Sequence, residues 1–293
     1  MTKTNVNDSK FSQLLLSPRM IFAILILLSM TAIALVGPSL SYYNSFSHDL
    51  SQRLCPMTLD HPLGCDLHGN DILAQLIQGT RTSLYISFIT VFFTTIIGII
   101  VGLLAGYFGG YIDKLFLYFT EILMAFPGIL LLLALSSLLG ATLNNLILVL
   151  ILTGWPGPGR IVRAEILKAR EYEYILAATS LGASSSRILF KHLLPNIWTP
   201  LVVSISFSLS GIILIESSLS FLGFGAQDTV SWGSLINQGR SLLTEAPHIS
   251  LFPGIMLILL VLAFNTAGDA LRDFLDPKNE TLHWCFRSKR TFR

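Results

Sequence analysis

Residues 171–196 read EYEYILAATSLGASSSRILFKHLLPN, a polar and basic stretch in a chain that is otherwise strongly apolar. Residues 171–181 contain no Gly or Pro and end at Gly182, a residue that tolerates the positive φ common at helix C-termini. A second short helix is expected over residues 185–193, because Pro195 cannot continue it. The stretch therefore predicts a helix, a turn and a second helix.

The first of these helices has one apolar face. Tyr174, Ala177, Ala178 and Leu181 fall at positions i, i+3, i+4 and i+7, which share one side of a helix. Such a face either packs against the inner ends of the protein's own helices or docks into a groove on a partner. The residues alone favour neither explanation.

The composition is that of a membrane protein. Of the 293 residues 52% are hydrophobic and 12% charged, with a mean hydropathy of +0.67, whereas soluble domains carry about 25% charged residues. The net charge of +2 is too small to indicate nucleic-acid binding. Three cysteines are too few for a disulfide scaffold.

Six apolar stretches are long enough to cross a hydrocarbon core, which takes about 20 helical residues. They are 20–40, 83–106, 115–139, 143–162, 199–222 and 251–271. The predicted fold class is an all-α membrane protein with six transmembrane helices. A secretory signal is the alternative for the first stretch, since basic residues precede it and Ala32-Ile33-Ala34 resembles a cleavage site.

Basic residues mark the cytoplasmic side of the chain, because short inner loops are rich in Lys and Arg. With an inner N-terminus, sixteen of the 19 fall inside, since only Arg53, Arg81 and Arg240 lie in outer segments. Both termini and residues 163–198 are therefore expected in the cytoplasm. Five marker positions follow from this topology: Asp71 and Trp232 outside, and Lys114, Arg187 and Arg290 inside.

A four-residue glycine repeat lies at the end of the second span. Gly98, Gly102, Gly106 and Gly110 would line one helix face and let another helix backbone approach closely. No Gly-Lys pair occurs in the sequence, so the chain carries no phosphate-binding P-loop of its own.

A carboxylate in or beside a predicted span is costly unless it is paired or faces water. Glu121 and Glu216 are therefore interpreted either as polar residues near a transport pathway or as residues paired within the helix bundle. Gly-x-Ser-x-Gly and His-Glu-x-x-His motifs are absent from the sequence, which gives no support to a membrane hydrolase.

The sequence LAATSLGASSSRILFKHLLPN resembles the cytoplasmic loop of permease subunits of bacterial ATP-binding-cassette (ABC) importers, and more narrowly of peptide and nickel permeases. Five further segments resemble that family in the family's order: HPLGCDLHGND; GYFGGYIDKLF followed by AFP; GRIVRAEILKAREYEY; ESSLSFLGFGAQDTVSWGSLINQGR; and PGIMLILLVLAFNTAGDALRDFLDP. The chain departs from the family pattern at Leu176, where Glu is usual, and at Gly69-Asn70-Asp71, where Gly-Arg-Asp is usual.

The resemblance implies that the 163–198 loop between spans four and five forms coupling helices seated on an ATPase subunit. The residues that it assigns to this contact are Glu173, Tyr174, Leu176, Ala177, Ala178, Leu181, Gly182, Ala183, Leu194 and Pro195. It also implies a second permease in a heterodimer, two cytoplasmic ABC ATPases, a periplasmic substrate-binding protein and a bacterial inner membrane. No covalent chemistry and no cofactor are implied, since ATP hydrolysis belongs to the partners.

The expected organisation follows from the spans and the resemblance together. It comprises a cytoplasmic segment 1–19, the first transmembrane helix 20–40, a periplasmic segment 41–82, a permease core 83–275 and a cytoplasmic tail 276–293. The implied function is import of peptides or a related solute by alternating access. An ion- or proton-coupled secondary transporter is the alternative, although the spans offer few acidic residues for an ion site.

Cys55 and Cys65 share the periplasmic segment, where disulfides persist, whereas Cys285 lies in the reducing cytoplasmic tail. A bridge would stabilise the external segment by about 2–3 kcal/mol; two independent thiols are the alternative. A metal site at His61, Cys65, Asp66 and His68 is not expected, because this stretch already resembles a family segment.

Overall fold

A computed structural model describes residues 17–39 and 50–275. Apart from one isolated bridge between Cys65 and Asp71, all regular structure in this part of the chain is helical. The α-helices are α1 Pro18–Val36, α2 Ile72–Phe108, α3 Gly110–Ala125, α4 Gly128–Leu139, α5 Leu143–Gly154, α6 Pro156–Ala169, α7 Glu173–Ser180, α8 Ser185–Arg187, α9 Trp198–Phe221, α10 Trp232–Gly239 and α11 His248–Leu275. Shorter 3₁₀ helices are Gly37–Ser39, Leu50–Gln52 and Arg240–Leu242.

Five helical stretches of the described residues are long and apolar enough to cross a membrane, and a sixth follows if α3 and α4 form one broken span. The all-α fold and its apolar spans are as the sequence predicts. The predicted stretch 115–139 is not one continuous helix, because α3 and α4 meet at 89°. Phe126 is extended (φ −83°, ψ 140°), the conformation that the following Pro127 imposes on its neighbour.

The second span begins earlier than its apolar stretch suggests. Helix α2 starts at Ile72, where the Asp71 side chain caps it by accepting a hydrogen bond from the Ala74 N–H at 3.0 Å. Residues 72–82 are therefore helical rather than part of an irregular external segment 41–82.

Glycines bring α2 and α6 into backbone contact. A Cβ atom at Gly98 would lie 2.8 Å from the Pro158 Cβ, and one at Gly102 would overlap the Gly159 carbonyl oxygen. The close approach predicted for the glycine repeat is present. Gly110 does not share it, because it starts α3 at φ +56° and a Cβ there would meet nothing within 4 Å.

Two hydrophobic clusters hold the helices together. The larger one joins the transmembrane helices to α10 and includes Trp232, which is fully buried. Helix α1 contributes Met30 and Ala34 to this cluster, so it packs against the other long apolar helices. The smaller cluster joins α2 and α6 to the 171–196 stretch and includes Ile175 and Leu193. That stretch is therefore anchored to the C-terminal ends of α2 and α6.

The helix expected over 185–193 does not end at Pro195. Helix α8 continues through a π-helical turn, Ile188–Leu193, and a 3₁₀ turn, Leu194–Ile197, directly into α9. Pro195 lies in the first positions of the 3₁₀ turn. A backbone N–H at this position would have no partner within the turn, so the proline costs no hydrogen bond. Residues 185–221 thus form one helical rod.

Candidate functional site

The 171–196 stretch folds around the turn at Gly182, which has φ +76°. The Ala183 N–H donates to the Ala178 carbonyl at 3.1 Å, and the Gly182 N–H donates to the Thr179 carbonyl at 3.0 Å. This pair of bonds is the Schellman motif, which needs a left-handed residue after the helix. A Cβ at Gly182 would meet nothing within 4 Å, so only the backbone conformation restricts this position.

The side of α7 that packs against the protein is not the apolar face seen in the sequence. Ile175 is 2% exposed and lies in the smaller cluster, together with Ile188 and Leu193. Sequence periodicity missed Ile175, because this residue is off the four-position pattern. It acts as the anchor of α7.

Apolar side chains project from the loop away from the protein. Leu181 is 87% exposed, Phe190 is 68% exposed, and both Tyr174 and Leu176 are exposed. These four residues are called the docking face below. Ala178, Ala183 and Leu194 are half-buried, whereas Glu173, Ala177 and Pro195 are exposed. In the described part of the chain, the apolar face does not pack against the protein's own helices. The explanation that remains is contact with a partner.

Polar contacts connect the two halves of the loop. The Asn196 side-chain amide donates to the Tyr174 hydroxyl at 2.6 Å and to the His192 carbonyl at 2.7 Å. The Tyr174 ring also lies 6.4 Å from the imidazole of His192. These contacts join α7 to the rod.

A bidentate ion pair joins α6 to the first turn of α3. Both contacts come from the guanidinium group of Arg163 in α6: Nε donates to Asp113 Oδ1, and Nη2 donates to Oδ2 at 2.7 Å. Arg170 adds a bond from Nη1 to the Gly106 carbonyl at 3.3 Å. Sequence reasoning did not identify this pair, because 50 residues separate its partners.

Glu121 and Glu216 differ in their surroundings. Glu216 is 1% exposed, accepts a hydrogen bond from the Ser220 hydroxyl at 2.7 Å and contacts the Ser217 hydroxyl at 3.4 Å. Glu121 is exposed on α3 and has no ion pair with any described residue. The bundle interpretation fits Glu216, and the pathway interpretation of Glu121 stays a prediction.

A compact polar network closes the external end of α2. Asp66 Oδ1 accepts from the backbone N–H groups of His68 and Asn70, each at 2.8 Å, and Oδ2 accepts from the Asn70 side chain at 3.0 Å. Asp71 Oδ2 contacts His61 Nδ1 at 2.8 Å. In this network Asn70 takes the place of the more usual arginine without leaving Asp66 unpaired.

Cys55 and Cys65 are bonded to each other beside this network, with their Cα atoms 4.9 Å apart. Ligand atoms of Cys55, His61 and Cys65 lie within 4.8 Å of one another. Since the two sulfurs are bonded together and His61 contacts Asp71, these groups form a structural staple here rather than a metal centre.

Alkylation of the unreduced protein under denaturing conditions is expected to modify Cys285 alone, because Cys55 and Cys65 are joined. Prior reduction should raise the number of modified cysteines to all three in the sequence. Mass spectrometry of the intact protein distinguishes these states, with a Cys55→Ser, Cys65→Ser variant as the control. Modification of all three without reduction would show that the bridge does not form.

The architecture defines a polytopic membrane protein that presents a helical loop with exposed apolar side chains. The chain belongs to the family described as the binding-protein-dependent transport system inner membrane component, whose model matches residues 98–281. It is thus a multi-pass inner-membrane protein and the permease subunit of an ABC importer. The resemblance seen in the sequence is confirmed, and the secondary-transporter alternative is set aside.

Relatives of this chain include named transport permeases. It is 38% identical over 269 residues to the dipeptide transport system permease protein DppC of Alkalihalophilus pseudofirmus, covering 92% of this chain and 88% of the relative. It is 43% identical over 222 residues to the glutathione transport system permease protein GsiD of Salmonella paratyphi A, covering 75% and 73%.

A solved structure shares the fold. The inward-facing MetNI methionine ABC transporter in its CY5 native crystal form matches with a TM-score of 0.55 and 22% identity, over 69% of this chain and 96% of that one. At this level of identity the likeness supports the arrangement of the helices and not the solute.

Proposed function

We propose that this permease imports short peptides or a related small solute as one half of a heterodimeric pore. The complex comprises a second permease subunit, two cytoplasmic ABC ATPases and a periplasmic substrate-binding protein. Support for the solute class comes from relatives named as dipeptide and glutathione permeases. Alternating access, driven by the ATPases, moves the solute inward.

The docking face is the proposed contact with one ATPase. The observation that carries this proposal is the exposure of Leu181, a large apolar side chain that makes little contact with the rest of the chain. An exposed apolar patch on the surface of a loop is typical of a protein interface. The flat region around Ala177 and the half-buried Ala178 and Ala183 lets the partner approach closely.

Movement of the ATPase reaches the membrane through two connections. Ile175 couples α7 to the smaller hydrophobic cluster, and the Tyr174–Asn196 bond couples α7 to the rod that becomes α9. The Arg163–Asp113 pair holds α6 against the start of α3. A displacement of the loop is therefore transmitted to the spans that contain α3, α6 and α9.

Glu121 is proposed to face the solute pathway or its aqueous entrance. A carboxylate turned towards lipid is costly, and the described residues supply no counter-charge for it. The break between α3 and α4 lies five residues further on, where irregular backbone needs water or protein cover.

Substitutions of Gly182 test the coupling role. Because the Cβ has room but φ is positive, Gly182→Asn should have little effect, while Gly182→Val should destabilise the turn by about 1–2 kcal/mol. We expect the Val variant to hydrolyse ATP in the assembled complex while importing several-fold less solute. If the Asn and Val variants imported the same amount of solute per ATP hydrolysed, coupling would not require this turn.

Cysteine labelling tests the orientation. In a background without native cysteines, Thr244→Cys should react with an impermeant maleimide in intact cells, and Ser186→Cys should react only after permeabilisation. Both positions are exposed, unlike Asp71 and Trp232, which are buried. Reaction of the residue-186 cysteine in intact cells would invert the proposed topology.

A further inference from the structure

Helix α3 lies at the edge of the helix bundle and packs against it with one side only. Of its 16 residues, Phe116 and Thr120 are buried. Phe116 packs on α6, where a Cβ at Gly159 would lie 3.1 Å from its ring. The sides of α3 that point away from this contact are exposed. In a membrane these sides meet lipid, water or another protein.

One exposed side of α3 has the composition of a lipid-facing surface. Its residues lie at positions i, i+3, i+7 and i+10, which share one side of a helix. All four are large, apolar and exposed, and they are called the apolar stripe below: Ile112, Leu115, Phe119 and Ile122. A stripe of this kind is at home in hydrocarbon, so lipid suffices to cover it.

The other exposed side of α3 is different. Its residues lie at positions i, i+4, i+7 and i+11 and are called the polar stripe below: Lys114, Tyr118, Glu121 and Ala125. All four are exposed. Lys114 lies in the second turn of α3, close enough to the helix end for its ammonium group to reach the membrane surface. Glu121 has no such escape, because it lies further along the helix.

Glu121 lies inside the hydrocarbon core. The apolar stretch of this span begins at Leu115, and residues 115–121 rise by about 9 Å along a helix. The core is about 30 Å thick, so this carboxyl group is well below its edge. No described residue forms an ion pair with Glu121. Because an unpaired carboxylate is costly against lipid, lipid is not the cover of the polar stripe.

The break between α3 and α4 gives an independent argument for a cover. Phe126, Pro127 and Gly128 are all exposed, and α4 begins at Gly128 without a side-chain cap. The N–H groups of a first helical turn have no partner within the helix. Irregular backbone at membrane depth is tolerated only where protein or water covers it. The break directly follows Ala125, so one cover serves both the polar stripe and the break.

We propose that the polar stripe and the adjoining break form the surface on which the second permease subunit docks. Within the transporter, only another membrane protein reaches this depth, because the ATPases lie in the cytoplasm and the substrate-binding protein lies outside. The small side chain of Ala125 allows close approach of a partner helix. The inference rests on the proposed heterodimer and assigns it a contact surface.

Site-specific photo-crosslinking in cells that express the complete transporter tests this surface. p-Benzoylphenylalanine in place of Glu121 should form an adduct with the second permease, detected by immunoblotting of both tagged subunits. The same probe in place of Phe119 is the control, because Phe119 lies about 160° around the helix from Glu121. It should give several-fold less adduct. Equal yields at the two positions, or an adduct of position 121 with lipid or with a copy of this chain alone, would overturn the proposal.

A pair of matched truncations tests the contribution of the surface to assembly. Tyr118→Ala removes an aromatic side chain from the proposed contact, so recovery of the second permease with the tagged chain should fall several-fold. Phe119→Ala removes a similar ring that meets lipid before and after assembly, so recovery should not change. The two rings lie 5.8 Å apart, so a folding defect at this place would affect both variants. Equal recovery with both variants would contradict the assigned surface.

Co-purification with the wild-type chain separates this inference from the proposed function. If the second permease co-purifies but position 121 forms no adduct with it, the heterodimer stands and the assigned surface is wrong. If no second permease co-purifies, the proposed heterodimer itself is wrong.

Discussion

Replacing Gly102 with alanine is expected to lower the amount of folded permease strongly. The added Cβ would overlap the Gly159 carbonyl oxygen and lie 3.0 Å from the Val162 Cβ. Backbone cannot rotate away as a side chain does, so α2 and α6 must separate. Overpacking costs about 1–3 kcal/mol, and the loss of contact along the neighbouring turns at Gly98 and Gly106 adds to this.

The measurement is thermal unfolding of the detergent-solubilised complex, followed by size-exclusion chromatography. A decrease in midpoint of about 5 °C or more is expected for Gly102→Ala, and Gly102→Leu should give almost no monodisperse protein. Gly157→Ala is the matched control, because it lies on α6 where a Cβ meets nothing within 4 Å. Similar midpoints for Gly102→Ala and Gly157→Ala would contradict the close packing.

Changing Leu181 to aspartate is expected to release the ATPase from the permease. Burial of a leucine at an interface contributes about 1.5–3 kcal/mol, and an unpaired carboxylate in an apolar groove adds a further desolvation cost. Together these reduce the affinity by about a hundredfold or more. Since Leu181 is 87% exposed within the permease, the variant should fold normally.

Co-purification of the ATPases with the tagged permease measures this effect. Leu243→Asp is the control, because Leu243 is also an exposed leucine but lies in the external segment between α10 and α11. It should retain the ATPases fully. Undiminished ATPase recovery with Leu181→Asp, at normal permease levels, would place the ATPase contact elsewhere.

Local signals in the sequence predicted much of the architecture. The apolar stretches identified the spans, the glycine repeat predicted a close helix–helix contact without naming the partner helix, and Gly182 predicted the turn at the end of α7. Each depends on neighbouring residues and on steric rules for one helix. The bend between α3 and α4 was not predicted, although Pro127 is present in the sequence. Mean hydropathy over a window gives no information about the direction of a helix axis.

Features set by tertiary packing could not be predicted in this way. The π-helical turn before Pro195 exists because Ile188 and Leu193 are both drawn into the smaller cluster. The Arg163–Asp113 pair joins residues far apart in the chain. For the docking face, the periodicity of the first helix predicted Tyr174 and Leu181 but not Phe190, which lies in the second helix.

The uninterrupted rod from Ser185 to Phe221 has a mechanical consequence. Its 37 residues measure about 55 Å at the α-helical rise of about 1.5 Å per residue. One end carries Phe190 of the docking face, and the other ends at Phe221. A tilt of about 10° about one end displaces the other by about 10 Å, for a rod of this length. The chain thus contains a lever arm, in which a modest rotation at the end that carries Phe190 becomes a displacement of several ångströms at the opposite end of the span.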